Sequence, residues 1–433
     1  MYTENPAGNT MMLYGGRAGM RQTRALGSWA RAAVAVIIFF SLGFPGNYTK
    51  VFGEWSGTVS DYGIFLLQIF LMLIYSGNNV GEIKLIDIKK IYASMYLFFT
   101  VIFVISMMAT SDAGEEVVSC VRFTVTGLFA IWICEHMKVE ELLEAIYHAQ
   151  IMYVIAAVSF AVLFPGLYER MSDQMNAFLG LSDTKNVTAM ILVFGITMQL
   201  LLWKIRTARN YSVSGFFVGF LALQIFLMIL ADSKGAMLYC AIIVLMMMML
   251  GDSVRVNVGL VSVMASIGFL IVAMTMIPML EPVLNAIGKD ATLTGRIPLW
   301  SQLLKIIREN HTLIGFGFAH FWYDDEALAL LHVGFSQNSY LSKLTLGAHS
   351  DLMEMWINTG LIGLLSYYAM LIASFSRSIH ISSDRYMFCM YYMMFYTFAG
   401  FTEKSWTTFG YKILIMFIAA AYACQKEGTC QEA

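Results

Sequence analysis

Residues 213–250 read VSGFFVGFLALQIFLMILADSKGAMLYCAIIVLMMMML: an apolar run, the five residues from Ala231 to Gly235, and a second apolar run. About 20 residues at 1.5 Å each are enough for a helix to cross the ~30 Å hydrocarbon core of a bilayer. The connection is too short for anything but a tight hairpin, so the two runs read as adjacent helices crossing in opposite directions.

The same pattern extends in both directions. Apolar runs bounded by Gly, Pro or charge have cores near 29–44, 58–76, 91–110, 117–134, 145–164, 187–203, 213–231, 235–250, 256–278, 349–374, 385–401 and 406–423. Of the 433 residues, 58% are hydrophobic and 13% charged, with a mean hydropathy of +0.67. A soluble domain needs about a quarter of its residues charged. Soluble, fibrous and disordered classes are therefore excluded, and the sequence predicts an all-α polytopic membrane protein of about twelve transmembrane helices.

The net charge of −2 says little, but the placement of charge says more. With the N-terminus inside, fifteen of the 27 basic residues fall on inner segments and ten on outer ones, five of those ten in one long loop. This bias predicts that both termini are cytoplasmic. Arg17, Arg21 and Arg24 precede the first apolar run, which no A-x-A-like cleavage site closes, so the run reads as a first span rather than a signal peptide. Cys120, Cys134, Cys240, Cys389, Cys424 and Cys430 lie in or beside apolar runs or in the C-terminal tail, and no CxxC pair is present. They make no case for a disulfide framework, zinc or redox chemistry. The expected plan is a cytoplasmic tail (1–28), helices one to nine (29–278), an outer loop (279–348), helices ten to twelve (349–423) and a second tail (424–433).

About 70 residues, Met279 to Ala348, separate the ninth and tenth runs, and loops of this length are usually functional or disordered. In the outer loop Trp300, Leu303, Leu304, Ile306 and Ile307 recur at helical spacing, followed by Phe316, Phe318, Phe321 and Trp322, which predicts a folded segment. A shorter outer segment, Pro165 to Lys185, contains Arg170.

An ionisable group inside a span costs at least a few kcal/mol and is a functional candidate with a partner to be found. Arg122 has two readings: a pair with Glu115 or snorkelling to the interface, and contact with an anionic ligand head group. Lys412 has the same two readings, the interfacial one being favoured. Lys234 is fixed near a helix N-terminus, where backbone N–H groups and the dipole favour anions, although a rim Lys is usually an interface anchor.

The densest group of polar candidates is Leu293-Thr294-Gly295-Arg296-Ile297-Pro298-Leu299-Trp300, then Leu313-Ile314-Gly315-Phe316-Gly317-Phe318, then Ala348-His349-Ser350-Asp351 running into a helix with Glu354 and Gly360-Leu361-Ile362-Gly363. Ser350 suits an N-cap and Asp351 the first helical turn. His349 is then left just outside the helix, with Glu354 one turn further in. A neutral His can take a proton from a hydroxyl nucleophile while a carboxylate sets its tautomer, and the planar fork of Arg296 matches phosphate oxygens. A lone His at a helix start is more often an interfacial or capping residue, and the two carboxylates could simply satisfy the dipole and loop cations. His311, His320, His332 and His349 with Asp324 and Asp325 show no metal-ligand spacing.

These residues resemble the bacterial O-antigen polymerase and O-antigen ligase superfamily, which includes exopolysaccharide polymerases. The likeness rests on Thr294-Gly295-Arg296 with Leu299-Trp300, on Gly315 and Gly317, on His349-Ser350 and on Gly360 to Gly363, with Lys185-Asn186 and Ser233-Lys234-Gly235 as weaker marks. It is firm over about 280–365, weaker over about 180–250 and topological elsewhere. The resemblance implies a GT-C-like membrane glycosyltransferase with a long periplasmic loop between helices nine and ten, in the bacterial inner membrane. It implies a sugar chain on undecaprenyl diphosphate transferred with inversion, and no metal or other cofactor. Arg296 would hold the diphosphate and His349 would be the base; Lys234 stands where relatives often have Arg. Charge placement adds Arg122 and Arg170, with Asp351 and Glu354, as substrate-binding candidates.

Within the superfamily the wording around Trp300, Gly315–Trp322 and His349–Gly363 resembles polymerases more than ligases. Membrane lipid and the lipid-linked oligosaccharide are the expected partners, with polysaccharide export and chain-length proteins as further ones, and no nucleic acid. A lipid-linked sugar transporter and a non-catalytic export partner are the competing classes. Transporters tend to carry broken helices at matching positions of paired halves; here charge gathers at one rim.

Overall fold

The computed structural model describes residues 26–42, 47–77, 89–109, 113–165, 177–182, 184–250, 254–279, 295–310, 312–335, 347–403 and 410–425. Its helices are α1 (Ser28–Ser41), α2 (Asn47–Phe52), α3 (Glu54–Gly77), α4 (Ala93–Ala109), α5 (Ala113–His136), α6 (Val139–Leu163), α7 (Lys185–Ala208), α8 (Gly215–Leu230), α9 (Lys234–Met249), α10 (Val258–Met279), α11 (Arg296–Asn310), α12 (Asp325–Phe335), α13 (Asp351–Phe375), α14 (Ser383–Thr402) and α15 (Tyr411–Cys424). Among the described residues there is no strand. Among the described residues a helix lies within each of the twelve apolar runs, and seven helical stretches are long and apolar enough to cross a membrane. Four more apolar helices, α1, α8, α9 and α15, have 14 to 16 residues. The chain is an all-α polytopic membrane protein.

Local chemistry sets the helix starts. Thr184 accepts from the Val187 N–H at 3.3 Å and Ser214 from the Phe217 N–H at 3.3 Å, so the first turns of α7 and α8 have their free donors met. At α6 the Glu141 carboxylate reaches back to the Lys138 N–H at 2.9 Å.

Helix α15 forms the centre. All of its residues except Lys412 are buried, as expected of a helix that is apolar all round. Ala419, Ala420, Ala421 and Ala423 let neighbouring backbones approach, and Cys389 Sγ contacts the Ala419 carbonyl at 3.3 Å. At its far end Tyr422 donates to the Met137 carbonyl at 2.8 Å and Gln425 to the Cys134 carbonyl at 3.2 Å. In contrast α3 and α10 lie on the outside, with Leu66, Phe70, Val261, Met264 and Ile271 exposed as lipid-facing side chains are.

One end of the bundle is laced by ion pairs: Arg31–Glu141 at 3.2 Å, Lys89–Glu135 at 2.7 Å, Arg206–Glu144 at 2.6 Å, and Arg209 with both Glu140 and Asp384. All four cations are among those that the sequence assigns to the cytoplasm. The loop helices α11 and α12 precede α13 in the segment assigned to the opposite face. In α11 Trp300, Leu303, Ile306 and Ile307 are buried as the spacing predicts, with Leu299 beside them, while Leu304 is half-buried.

Candidate functional site

Arg296 is the first residue of α11, and Trp300 one turn later fixes that helix in place. The Trp300 side chain is fully buried, and its Nε1 donates to the Ala348 carbonyl at 2.7 Å. The helix carrying Arg296 is thereby tied to the residue before His349.

The Gly-Phe-Gly turn is held by a break in α13. Gly360 has φ 63° and ψ −169°, so the helix stops there and restarts. The released backbone groups are taken up by the turn: Gly317 N–H donates to the Asn358 carbonyl at 2.8 Å, and Leu361 N–H to the Thr312 carbonyl at 2.9 Å. Non-helical backbone within a membrane bundle is tolerated only where protein satisfies it in this way. Gly315 and Gly360 are the points of closest approach. A Cβ on Gly315 would stand 2.5 Å from the Gly360 nitrogen, and one on Gly360 would stand 2.3 Å from the Leu313 oxygen.

Glu354 locks the same region from inside. Fully buried, it accepts from Trp322 Nε1 at 2.7 Å on one oxygen and from the Ala348 N–H at 2.7 Å on the other, with a longer bond from Asn358 Nδ2 at 3.4 Å to the first. The expectation that Glu354 would set the His349 tautomer is therefore corrected, since its carboxylate is committed to the loop. Ser350 occupies the N-cap of α13, but its hydroxyl makes no cap bond. Asp351 is also turned inward, 6% exposed, and lines a cavity with Ser262, Ser266, Tyr367, Tyr368, Tyr396 and Thr397.

The carboxylate that faces His349 is Glu403, the residue that ends α14. Its Oε2 lies 3.8 Å from His349 Nδ1 and its Oε1 lies 3.4 Å from Arg296 Nη2. One side chain from the far end of the sequence thus joins the two leading candidates. His349 sits in the left-handed region at φ 48°, an unfavourable conformation for a residue with a Cβ, and its Nδ1 is buried without a hydrogen-bond partner. The imidazole is 28% exposed, so its accessible part is the other edge. Burial pushes the Glu403 carboxyl up, but the adjacent His349 and the charge of Arg296 outweigh burial and hold it below the usual carboxylate range. Lys412 lies within electrostatic reach of Glu403 and Asp351. Tyr239 donates to Thr402 Oγ1 at 3.4 Å and brings α9 to the same corner.

The sequence reading missed Glu403. The available signal was an acidic residue just past an apolar run, on the rim assigned to His349.

The other candidates are dispersed. Lys234 is exposed at the start of α9, where its hairpin is bound to α7: Asp232 pairs with Lys185 at 3.3 Å and Ser233 donates to Asn186 Oδ1 at 2.9 Å. The two weaker sequence marks therefore touch each other. Arg122 lies over the Tyr62 ring, 5.3 Å from its centre. Arg170, Thr294, His311 and the Glu115 side chain lie outside the described residues. Among the described residues no group of three or more His, Cys, Asp or Glu side chains is arranged to hold a metal ion.

Residues 218–368 match the family model described as O-Antigen ligase, a segment that takes in Arg296, the glycine turn and His349 but ends before Glu403. The chain is also similar to the exopolysaccharide production protein ExoQ of Rhizobium meliloti (strain 1021), 31% identical over 127 residues. That match covers 27% of this chain and 27% of the relative, so the chain spans about a quarter of the length of the curated relative that it matches. These matches and the sequence motifs agree: over the segment that carries Arg296, the glycine turn and His349, the chain is similar to the O-antigen polymerase and ligase superfamily.

Proposed function

We propose that the protein is a membrane glycosyltransferase that polymerises undecaprenyl-diphosphate-linked oligosaccharide repeat units of an exopolysaccharide or O-antigen. In this reading it sits in the bacterial inner membrane with both termini cytoplasmic and acts on the periplasmic face. The observation that carries it is the meeting of Arg296 and His349 on opposite oxygens of Glu403. An acceptor hydroxyl oxygen attacks the anomeric carbon opposite the diphosphate, the bond from that carbon to the diphosphate oxygen breaks, and the configuration inverts. His349 takes the hydroxyl proton. The leaving diphosphate carries the electron pair away as an anion, and Arg296 stabilises the charge that develops. Lys234 and Arg122 belong to the approach of the lipid-linked substrate, and the lipid tail enters from the bilayer. Export and chain-length proteins would receive the product.

The alternative is transfer of the finished chain to lipid A-core, which the description of the matching family favours. The name of the relative favours the polymer-forming reading. Purified protein in liposomes, given undecaprenyl-diphosphate-linked repeat units alone, is expected to yield a ladder of lengths. Product that forms only once lipid A-core is added would mean a ligase, and no transfer in either case would overturn the glycosyltransferase reading.

A further inference from the structure

Glu403 holds both of its partners at more than ideal distance. A charge-assisted N–H to carboxylate bond closes to about 2.7–2.9 Å, whereas here Arg296 stands at 3.4 Å and His349 at 3.8 Å. The carboxylate is shared between a cation, from which it accepts one long hydrogen bond, and an imidazole nitrogen, with which it completes none. Its backbone is fixed, because the Glu403 N–H donates to the Ala399 carbonyl at 2.9 Å. The segment before His349 is fixed too, with Ala348 held by Trp300 on one side and Glu354 on the other. The easily moved part is therefore the carboxylate itself, whose terminal torsion is broad and shallow.

We infer that Glu403 exchanges partners when the donor binds: the diphosphate draws Arg296 away, and the released carboxylate closes onto Nδ1 of His349. This rests on the reading of Arg296 as the diphosphate contact and His349 as the base. The exchange follows from charge and shape. A diphosphate offers the guanidinium more negative charge and a better match to its fork than one carboxylate oxygen at 3.4 Å. The carboxylate is not stranded without compensation, since Lys412 stays within electrostatic reach of it. The buried Nδ1, which has no hydrogen-bond partner, then gains one. A proton held on Nδ1 leaves the lone pair on Nε2, at the exposed edge where an acceptor hydroxyl can come. The base is thus completed only when the donor is in place, so the donor binds first and the acceptor second.

The test uses the full-length protein in nanodiscs and undecaprenyl diphosphate without a sugar as the probe, with binding and turnover measured separately. Glu403→Gln removes the competing charge, so binding of the probe should tighten by about fivefold or more, since a buried pair is little screened by solvent, while turnover falls by tenfold or more. A purely structural role for Glu403 would weaken both. If the glutamine variant does not insert, Glu403→Ala, which also removes the charge, carries the same expectation. Binding lost in Arg296→Ala but unchanged or weakened in the Glu403 variants overturns the exchange and leaves the reading of Arg296 intact. Binding indifferent to Arg296→Ala overturns both.

Discussion

Trp300 Nε1 donates to the carbonyl of Ala348 at 2.7 Å, and through this bond the helix that begins with Arg296 is held against the segment that presents His349. Trp300→Phe keeps an aromatic ring but loses the donor and the pyrrole half of the indole, leaving a buried carbonyl without its partner at a cost of about 1–3 kcal/mol. A shift of about 1 Å between the two groups is enough to slow transfer by roughly a hundredfold. The variant should therefore insert at near-normal levels and make little polymer. Normal chain length and rate in reconstituted liposomes would mean that this bond does not set the distance between the groups.

Gly315 and Gly360 are expected to be the least replaceable glycines in the chain. Both have positive φ, and a Cβ on either would overlap backbone atoms that cannot turn aside. The strain alone costs roughly 1–3 kcal/mol per residue, and the overlap would in addition push the turn out of the helix break. Gly219 is the contrast, because a Cβ there meets nothing within 4 Å. Gly360→Ala should abolish transfer and lower the unfolding temperature, while Gly219→Ala should change neither. Equal behaviour of the two variants in a thermal-shift assay would show that the interlock is unimportant.

Glu354→Gln is predicted to weaken the loop. Each carboxylate oxygen receives a donor at 2.7 Å, from Trp322 Nε1 and the Ala348 N–H. An amide offers one oxygen and one NH₂, so one of those donors would face another donor. The cost is about 1–3 kcal/mol, seen as earlier unfolding and faster protease cleavage between 312 and 348. Unchanged cleavage would mean that the loop is held by its apolar packing alone.

The helices could be read from the sequence because a membrane span is a property of one segment: about twenty apolar residues suffice whatever they pack against. Arg296 and His349 were legible because each stands beside residues, Trp300 and Ser350, whose order along the chain is itself distinctive. Glu403 was not, since its role arises only when the end of α14 folds back against a segment some fifty residues earlier in the chain. The break at Gly360 was hidden for the opposite reason. Asp351 to Phe375 reads as one apolar helix, and only the arrival of the 312–317 turn gives its backbone groups other partners. Glu354 was placed correctly one turn into the helix, but its direction was fixed by Trp322, which lies 32 positions away in the chain.

The pH dependence of stability reports on Glu403. Glu403 is held below the usual carboxylate range, so it stays ionised as pH falls through the region where ordinary carboxyls protonate. The stability that it contributes is present above the pKa of the unfolded chain and is lost only as pH falls through the depressed folded value. Glu403→Gln has no such charge to lose, so its unfolding temperature should lie below that of the unaltered protein at neutral pH and approach it only in that acidic range. A difference between the two proteins that is the same at every pH would show that the ionised carboxylate adds no stability through Arg296 and His349.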